Sequence, residues 1–483
     1  MQKTKQDRAQ TKTDLKTEKK AKAKKNKMFG IRQEEMRQTS IAILKELHKL
    51  EQMAYSKEIN QFVFALVRKR MNGTPLRAFF VRKMFELGNA LKWWPSSFST
   101  SQKKAFSKLG FQQLPFLFEL VISIQYLHNQ ILDKKANVLS SKEVNKNLLA
   151  ANLLKELLYE YIEQEIPLQW RSQITTTIRK TFTQVDVGQY IEKEWNTHQA
   201  FQRHDLPLHY KISPKVDQEV DLSALSAVTE RLQNELPREH WEFAHLYLKR
   251  IYLTCGMLFV QATKLIIDLH QIKGAKAQQL IRFSTCYGVM RQIVNDNADY
   301  LPSQLQLTTK SKHAEDALSD FRNRNITLPL ILHLSLPKGN ELSKELLLYS
   351  STSLNSEQEQ ALFQEMLNSK SLFISIQYTK ILAALSQHFL AMDHPAAALL
   401  RATCDIVHWN KFLYPIKKSK QYKKFKRTTY YKKTNVFIEE LKSVAEAKPS
   451  ELMLGMKNQV AHLLGYALRP FSAHQQIQSK INV

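Results

Sequence analysis

Glycine and proline are both scarce in this 483-residue chain, at 11 and 14 residues. So few turn-formers exclude collagen-like architectures and argue against sandwiches and propellers. Only three cysteines are present, Cys255, Cys286 and Cys404, far apart in sequence and without a CxxC pair. They form no even disulfide framework and no zinc signature, and they suit a reducing compartment. No apolar run reaches the roughly 18 residues that a bilayer-spanning helix needs. The first residues show no hydrophobic signal core either, so the expected location is cytoplasmic. What the chain does have is apolar content, 43% of residues, enough to exclude a wholly disordered polymer.

That apolar content recurs at three- and four-residue spacing. Helix-length segments run through 40–70, 76–92, 103–133, 143–165, 174–203, 221–234, 238–272 and 275–299. Others follow at 313–322, 327–350, 356–369, 371–391 and 394–412. Breaks fall at Asn72-Gly73-Thr74-Pro75, Trp94-Pro95, Asp205–Pro214, Leu301-Pro302 and Leu336-Pro337-Lys338-Gly339. Period-two alternation is rare and no repeat of 20 to 50 residues is visible. An all-α bundle is expected over 31–412. Segments 115–133 and 251–268 are apolar on most faces and belong inside it.

The net charge of +27 is concentrated at two places. Residues 1–27 carry 11 Lys/Arg against Asp7, Asp14 and Glu18 and almost nothing apolar, the composition of a disordered tail over 1–30. Residues 417–433 carry nine Lys/Arg and no acid, with Tyr422, Phe425, Tyr430 and Tyr431 interleaved. Lysines there could neutralise phosphates while the rings stack on bases or dip into a lipid interface, giving nucleic acid or anionic membrane as partners. The same run also reads as a solvated linker over 413–433, tethering a helical extension over 434–483.

Two helix ends gather polar groups. On the first, Asn129 and Asp133 lie four apart and project from one side, with His128 and Gln130 beside them. On the second, Gln292, Asn295, Asp296 and Asp299 share one stripe. Carboxylates on two facing helix ends could hold Mg²⁺, which takes one or two carboxylates and completes its shell with water and phosphate. The same groups also read as ordinary polar helix ends reaching solvent.

The order of these segments resembles the trans-isoprenyl diphosphate synthases, the polyprenyl synthetase family. Gly288 through Asp299 looks like that family's second aspartate-rich motif, and Glu119 through Asp133 like its first. Asp320-Phe-Arg-Asn-Arg-Asn-Ile-Thr327-Leu328-Pro329 resembles the segment that follows the second motif, and Asp393–Trp409 the closing helix. The resemblance implies an isoprenoid-synthase bundle, an isoprenoid diphosphate ligand and Mg²⁺ held by Asp133, Asp296 and Asp299, with Gln292 assisting catalysis. It implies substrate contacts from Arg77, Asn129, Gln130, Thr254, Asn295 and Lys312. A homodimer, or a heterodimer with an active synthase, is implied as well. Tyr126 would point into the bundle, where the family sets chain length.

The departures bear on chemistry. Asn129, Gln130 and Asn295 stand where the family has aspartates. Thr74 and Pro75 replace its two diphosphate-gripping cations, and Leu253 replaces the lysine of its Lys-Thr pair. An amide oxygen can ligate Mg²⁺ but brings no charge, and leaving pyrophosphate must be stabilised by metal and cations. Three readings remain open: a divergent prenyl-transferring or terpene-forming enzyme, a catalytically inactive homologue serving as partner subunit or scaffold, and an interaction protein acting through its basic segments.

Overall fold

A computed structural model describes residues 30–53, 57–71, 75–91, 98–132, 141–194, 218–300, 320, 323, 325–349, 354–404 and 418–446. The basic N-terminal run, Asp133, Lys312, Trp93-Trp94 and the last part of the C-terminal extension lie outside them. Among the described residues the structure is helical and no β-strand forms. The chain divides into two compact units, Met1–Ser123 with Asp393–Thr403, and Ile124–Met392 with Cys404–Val483. Residues 393–403 thus belong to the first unit.

The first unit contains α1 (30–53), α2 (Lys57–Met71), α3 (Leu76–Leu91), α4 (Thr100–Lys108), the start of α5 (Leu114–Leu132) and α15 (Pro395–Thr403). Ser99 caps α4 with a reciprocal Gln102 box, so the helix starts where Ser-Thr-Ser-Gln places a cap. A π-helical turn, Leu109–Gln113, joins α4 to α5 without interruption. Glu119 on α5 is buried and accepts the backbone N–H of Ala78 at 3.1 Å, satisfying an end group of α3. Lys83 on α3 is buried between Glu35 and Glu86 at 2.7 and 2.6 Å.

The second unit contains α6 (Ser141–Glu165), α7 (Leu168–Glu194), α8 (Ser226–Glu235), α9 (Arg238–Ile251), α10 (Met257–Leu269), α11 (Gly274–Asp299) and α12 (Leu328–Leu334). After these come α13 (Ser356–Ser369), α14 (Ser371–Phe389), α16 (Lys420–Phe425) and α17 (Thr429–Glu446). Helix α11 packs along α14 and α10. A second π turn, Tyr252–Gly256, joins α9 to α10. The continuous stretch His240–Leu269 is long and apolar enough to cross a membrane, contrary to the sequence expectation. Its most apolar window is 83% buried within the protein, which marks it as a core helix.

Two glycines let helices meet at the backbone around that π turn. A Cβ on Gly288 of α11 would lie 2.6 Å from the Cα of Gly256, and one on Gly188 of α7 would lie 2.7 Å from Thr254 Cγ2. Neither position has room for a methyl group. Gly288→Ala should therefore lower stability by about 1–3 kcal/mol, because the obstacle is backbone and cannot rotate away. Thermal unfolding of the full chain checks this; an unchanged midpoint would mean that the helices separate freely here.

Candidate functional site

The second unit brings together a buried polar cluster at the C-terminal end of α11. Asp296 is 3% exposed, and both of its carboxylate oxygens are engaged. The Tyr247 hydroxyl of α9 donates to Oδ2 at 2.5 Å, and Gln292 Nε2, one turn back on α11, donates to Oδ1 at 2.8 Å. Asp299 Oδ2 accepts the backbone N–H of Asp320 at 2.7 Å, and Asn325 Nδ2 donates to Asp320 Oδ1 at 2.9 Å. Arg250, three residues after Tyr247 on the same face of α9, is the cation of the cluster. Its guanidinium pairs with Glu192 of α7, donates to the Ile326 carbonyl at 3.1 Å and lies 5.2 Å from the Tyr247 ring centre.

Burial dominates the electrostatics. It pushes the Asp296 carboxyl up to about 6, against the opposing pull of Arg250, Tyr247 and Gln292. Asp320 is held well above the usual carboxylate range by burial and by the nearby charges of Asp299 and Asp296. Burial likewise raises the Tyr247 phenol well above its ordinary value, with Asp296 adding to the effect. For Arg250, burial disfavours the charge, but Glu192 and then Asp296 outweigh it and raise the guanidinium's affinity for its proton. The cluster is thus several acids sharing one buried arginine.

The other expected residues divide. Asn129 is half-buried on α5 and its Oδ1 accepts from Gln189 of α7 at 2.5 Å, while one turn earlier Gln125 donates to Asp186 at 3.2 Å. These amides stitch α5 to α7. Gln130 is half-buried beside Asn129. Asn295 is exposed, so the stripe read from the sequence splits and only Gln292, Asp296 and Asp299 join the cluster. Thr254 sits in the π turn, packed against Gly188, and its hydroxyl donates to the Arg250 carbonyl at 3.2 Å. Arg77 lies in the first turn of α3, in the other unit. Tyr126 is 42% exposed and does not point into the bundle. Cys255 and Cys286 are buried and unoxidised, as their apolar surroundings predict.

Sequence reasoning missed Tyr247, Arg250, Glu192, Asp186 and Gln189. One signal was available: Tyr247 and Arg250, at i and i+3, place a phenol and a cation on one face of a helix otherwise rich in apolar residues.

No protein-family model matches the sequence, and no curated protein matches it. Solved structures do. The chain superposes on a polyprenyl synthase from Caulobacter crescentus, complexed with calcium and isoprenyl diphosphate, at a TM-score of 0.53 and 15% identity, covering 79% of this chain and 96% of that one. A decaprenyl diphosphate synthase from Rhodobacter capsulatus gives 0.53, 16%, 79% and 98%. A geranylgeranyl pyrophosphate synthetase from Pyrococcus horikoshii gives 0.53, 14%, 79% and 98%. The chain has the all-α fold of the isoprenyl diphosphate synthases, as the order of its motifs predicts.

Magnesium, which the resemblance implies, does not fit the described residues. Asp296 has both oxygens committed and is desolvated, and Asp299 holds the backbone of Asp320. Arg250 already supplies positive charge to the same acids. Among the described residues no three His, Cys, Asp or Glu side chains are placed to hold one ion.

Proposed function

We propose that this chain is a non-catalytic protein with the isoprenyl diphosphate synthase fold, acting as a partner subunit or scaffold for such a synthase. The observation that carries this reading is Asp296, buried with its two oxygens occupied by Tyr247 and Gln292. Ionising an allylic diphosphate separates charge, and the leaving pyrophosphate needs cations aimed at it. Here the second aspartate-rich helix turns inward and satisfies itself with a phenol, an amide and a guanidinium. The helix that would face it carries Asn129, and that amide is bonded to Gln189.

The test is pyrophosphate release from geranyl, farnesyl and geranylgeranyl diphosphates, with Mg²⁺, with and without isopentenyl diphosphate. The folded protein should release none above background. Mg²⁺-dependent release that disappears in the Asp296→Ala/Asp299→Ala variant would overturn the proposal and restore the prenyl-transferring or terpene-forming enzyme. An active synthase should instead co-purify with, or change its rate on mixing with, the wild-type chain.

A further inference from the structure

Residues 418–433, whose composition reads as a linker, are largely helical. Residues Lys420–Phe425 and Thr429–Glu446 are helices of the second unit, packed on α14. Ser419 caps the first of them by accepting the Tyr422 N–H at 3.1 Å. The aromatics face inward. Tyr422 and Phe425 are buried, with ring centres 5.2 and 5.5 Å from that of Phe373 on α14. The Tyr430 ring lies 4.7 Å from the Arg231 guanidinium, itself paired with Glu235 at 2.7 Å, and Arg231 also donates to the buried Thr434 hydroxyl at 2.6 Å. Tyr431 lies under Lys380, 5.5 Å from its ammonium.

With the rings inside, the cations are left outside. Lys418, Lys420, Lys423, Lys424, Lys426, Arg427, Lys432 and Lys433 are all exposed, and no acid occurs from 418 until Glu439. Lys420, Lys423, Lys424 and Arg427 stand at i, i+3, i+4 and i+7, one face of α16 and the turn after it. On α17, Lys432 and Lys433 share their face with Val436, which is 59% exposed.

We infer that this face docks the protein on an anionic lipid bilayer. Base stacking on single-stranded nucleic acid needs free aromatic faces, whereas Tyr422 and Phe425 are buried and the half-buried Tyr430 and Tyr431 rings are packed against Arg231 and Lys380. Seven of the eight cations are lysines, point charges that suit the diffuse field of a headgroup plane, rather than the guanidinium forks that grip single phosphates and base edges. An exposed valine on the cationic face can enter a lipid interface and has no counterpart along a phosphodiester backbone. The charge is complementary to phosphatidylserine or phosphatidylglycerol, and adsorption by charge must weaken with salt.

The experiment is flotation of the full chain with phosphatidylcholine vesicles, with or without phosphatidylserine. Wild type is compared with Lys420→Glu/Lys423→Glu/Lys424→Glu/Arg427→Glu and with the matching four-glutamine variant. All four side chains are exposed, and unchanged circular dichroism will show that both variants fold. Expected results are binding only to vesicles with phosphatidylserine, release by added salt, and affinity at least about 100-fold weaker in the glutamate variant. The glutamine variant should lie between. Three results would overturn the inference. They are no binding to anionic vesicles, equal binding by the variants (which would move the site elsewhere in the basic chain), and tighter binding to duplex DNA or single-stranded RNA than to vesicles.

Discussion

Replacing Arg250 with alanine should cost about 3–5 kcal/mol and lower the unfolding midpoint of its unit by roughly 10 °C. The arginine side chain is 5% exposed and that of its partner Glu192 is 23% exposed, so water cannot take over the lost interaction. Without the guanidinium, Glu192, Asp296 and Asp320 would keep their mutual repulsion and lose the only buried charge opposing it among the described residues of the cluster. The Ile326 carbonyl would lose its donor at the same time. Arg250→Lys should recover only part of the loss, because an ammonium cannot reach Glu192 and the carbonyl with the same planar fork. Adding Glu192→Gln to Arg250→Ala should restore stability relative to the single variant, by removing the acid left unpaired. A loss below about 1 kcal/mol in Arg250→Ala would place the pair in the weak class of solvent-screened salt bridges and remove the self-neutralised cluster from the account.

Such a cluster also shows where reading a sequence stops. The helix ending in Asn295-Asp296-Asn-Ala-Asp299 was legible, because its apolar spacing and the lysine-glycine start fix it: 275–299 was expected and Gly274–Asp299 is found. The change of charge was legible too, since Asn129, Gln130 and Asn295 are visible as letters. The partners of Asp296 were not. Tyr247 is 49 residues away, and Glu192 is 58 residues from Arg250. Periodicity says which face of a helix is buried, but not which buried polar groups meet across an interface. The π turn at Tyr252–Gly256 was invisible for a related reason. It adds a residue to a turn whose only breaker, Gly256, does not end the helix, rotating Thr254 relative to the rest of α9, and the close approach of Gly188 that accompanies it is a tertiary fact. Residues 418–433 differ again. Their overall composition suggested a linker, whereas Tyr422 and Phe425, three apart and opposite Lys420, Lys423, Lys424 and Arg427, already had amphipathic helical spacing.

Asp296→Asn tests whether the cluster is a metal site or a structural one, and it should raise stability at neutral pH. The folded carboxyl titrates at about 6 and an unfolded aspartate at about 3.9, so the native state binds this proton more tightly than the unfolded chain does. Its contribution to stability is therefore complete below pH 4 and is lost as the pH rises through 6. The two-unit difference corresponds to about 3 kcal/mol of destabilisation at pH 7.5, and asparagine, which carries no charge there, should recover much of it. The asparagine oxygen can accept from only one of Tyr247 and Gln292, and its NH₂ takes the place of the other oxygen, where a flipped Gln292 amide or the Tyr247 hydroxyl can accept from it. Denaturant unfolding of both proteins from pH 4 to 8 should show the variant gaining on wild type as pH rises, with the advantage gone near pH 4. Magnesium separates the alternatives further. A cation bound to the native Asp296 carboxylate would stabilise wild type in proportion to the logarithm of its concentration and leave the variant behind. With Tyr247 and Gln292 on the two oxygens, added Mg²⁺ should move both midpoints equally. Selective stabilisation of wild type by Mg²⁺ would mean that the ion displaces the phenol and the amide, and the enzymatic reading of the fold would then prevail.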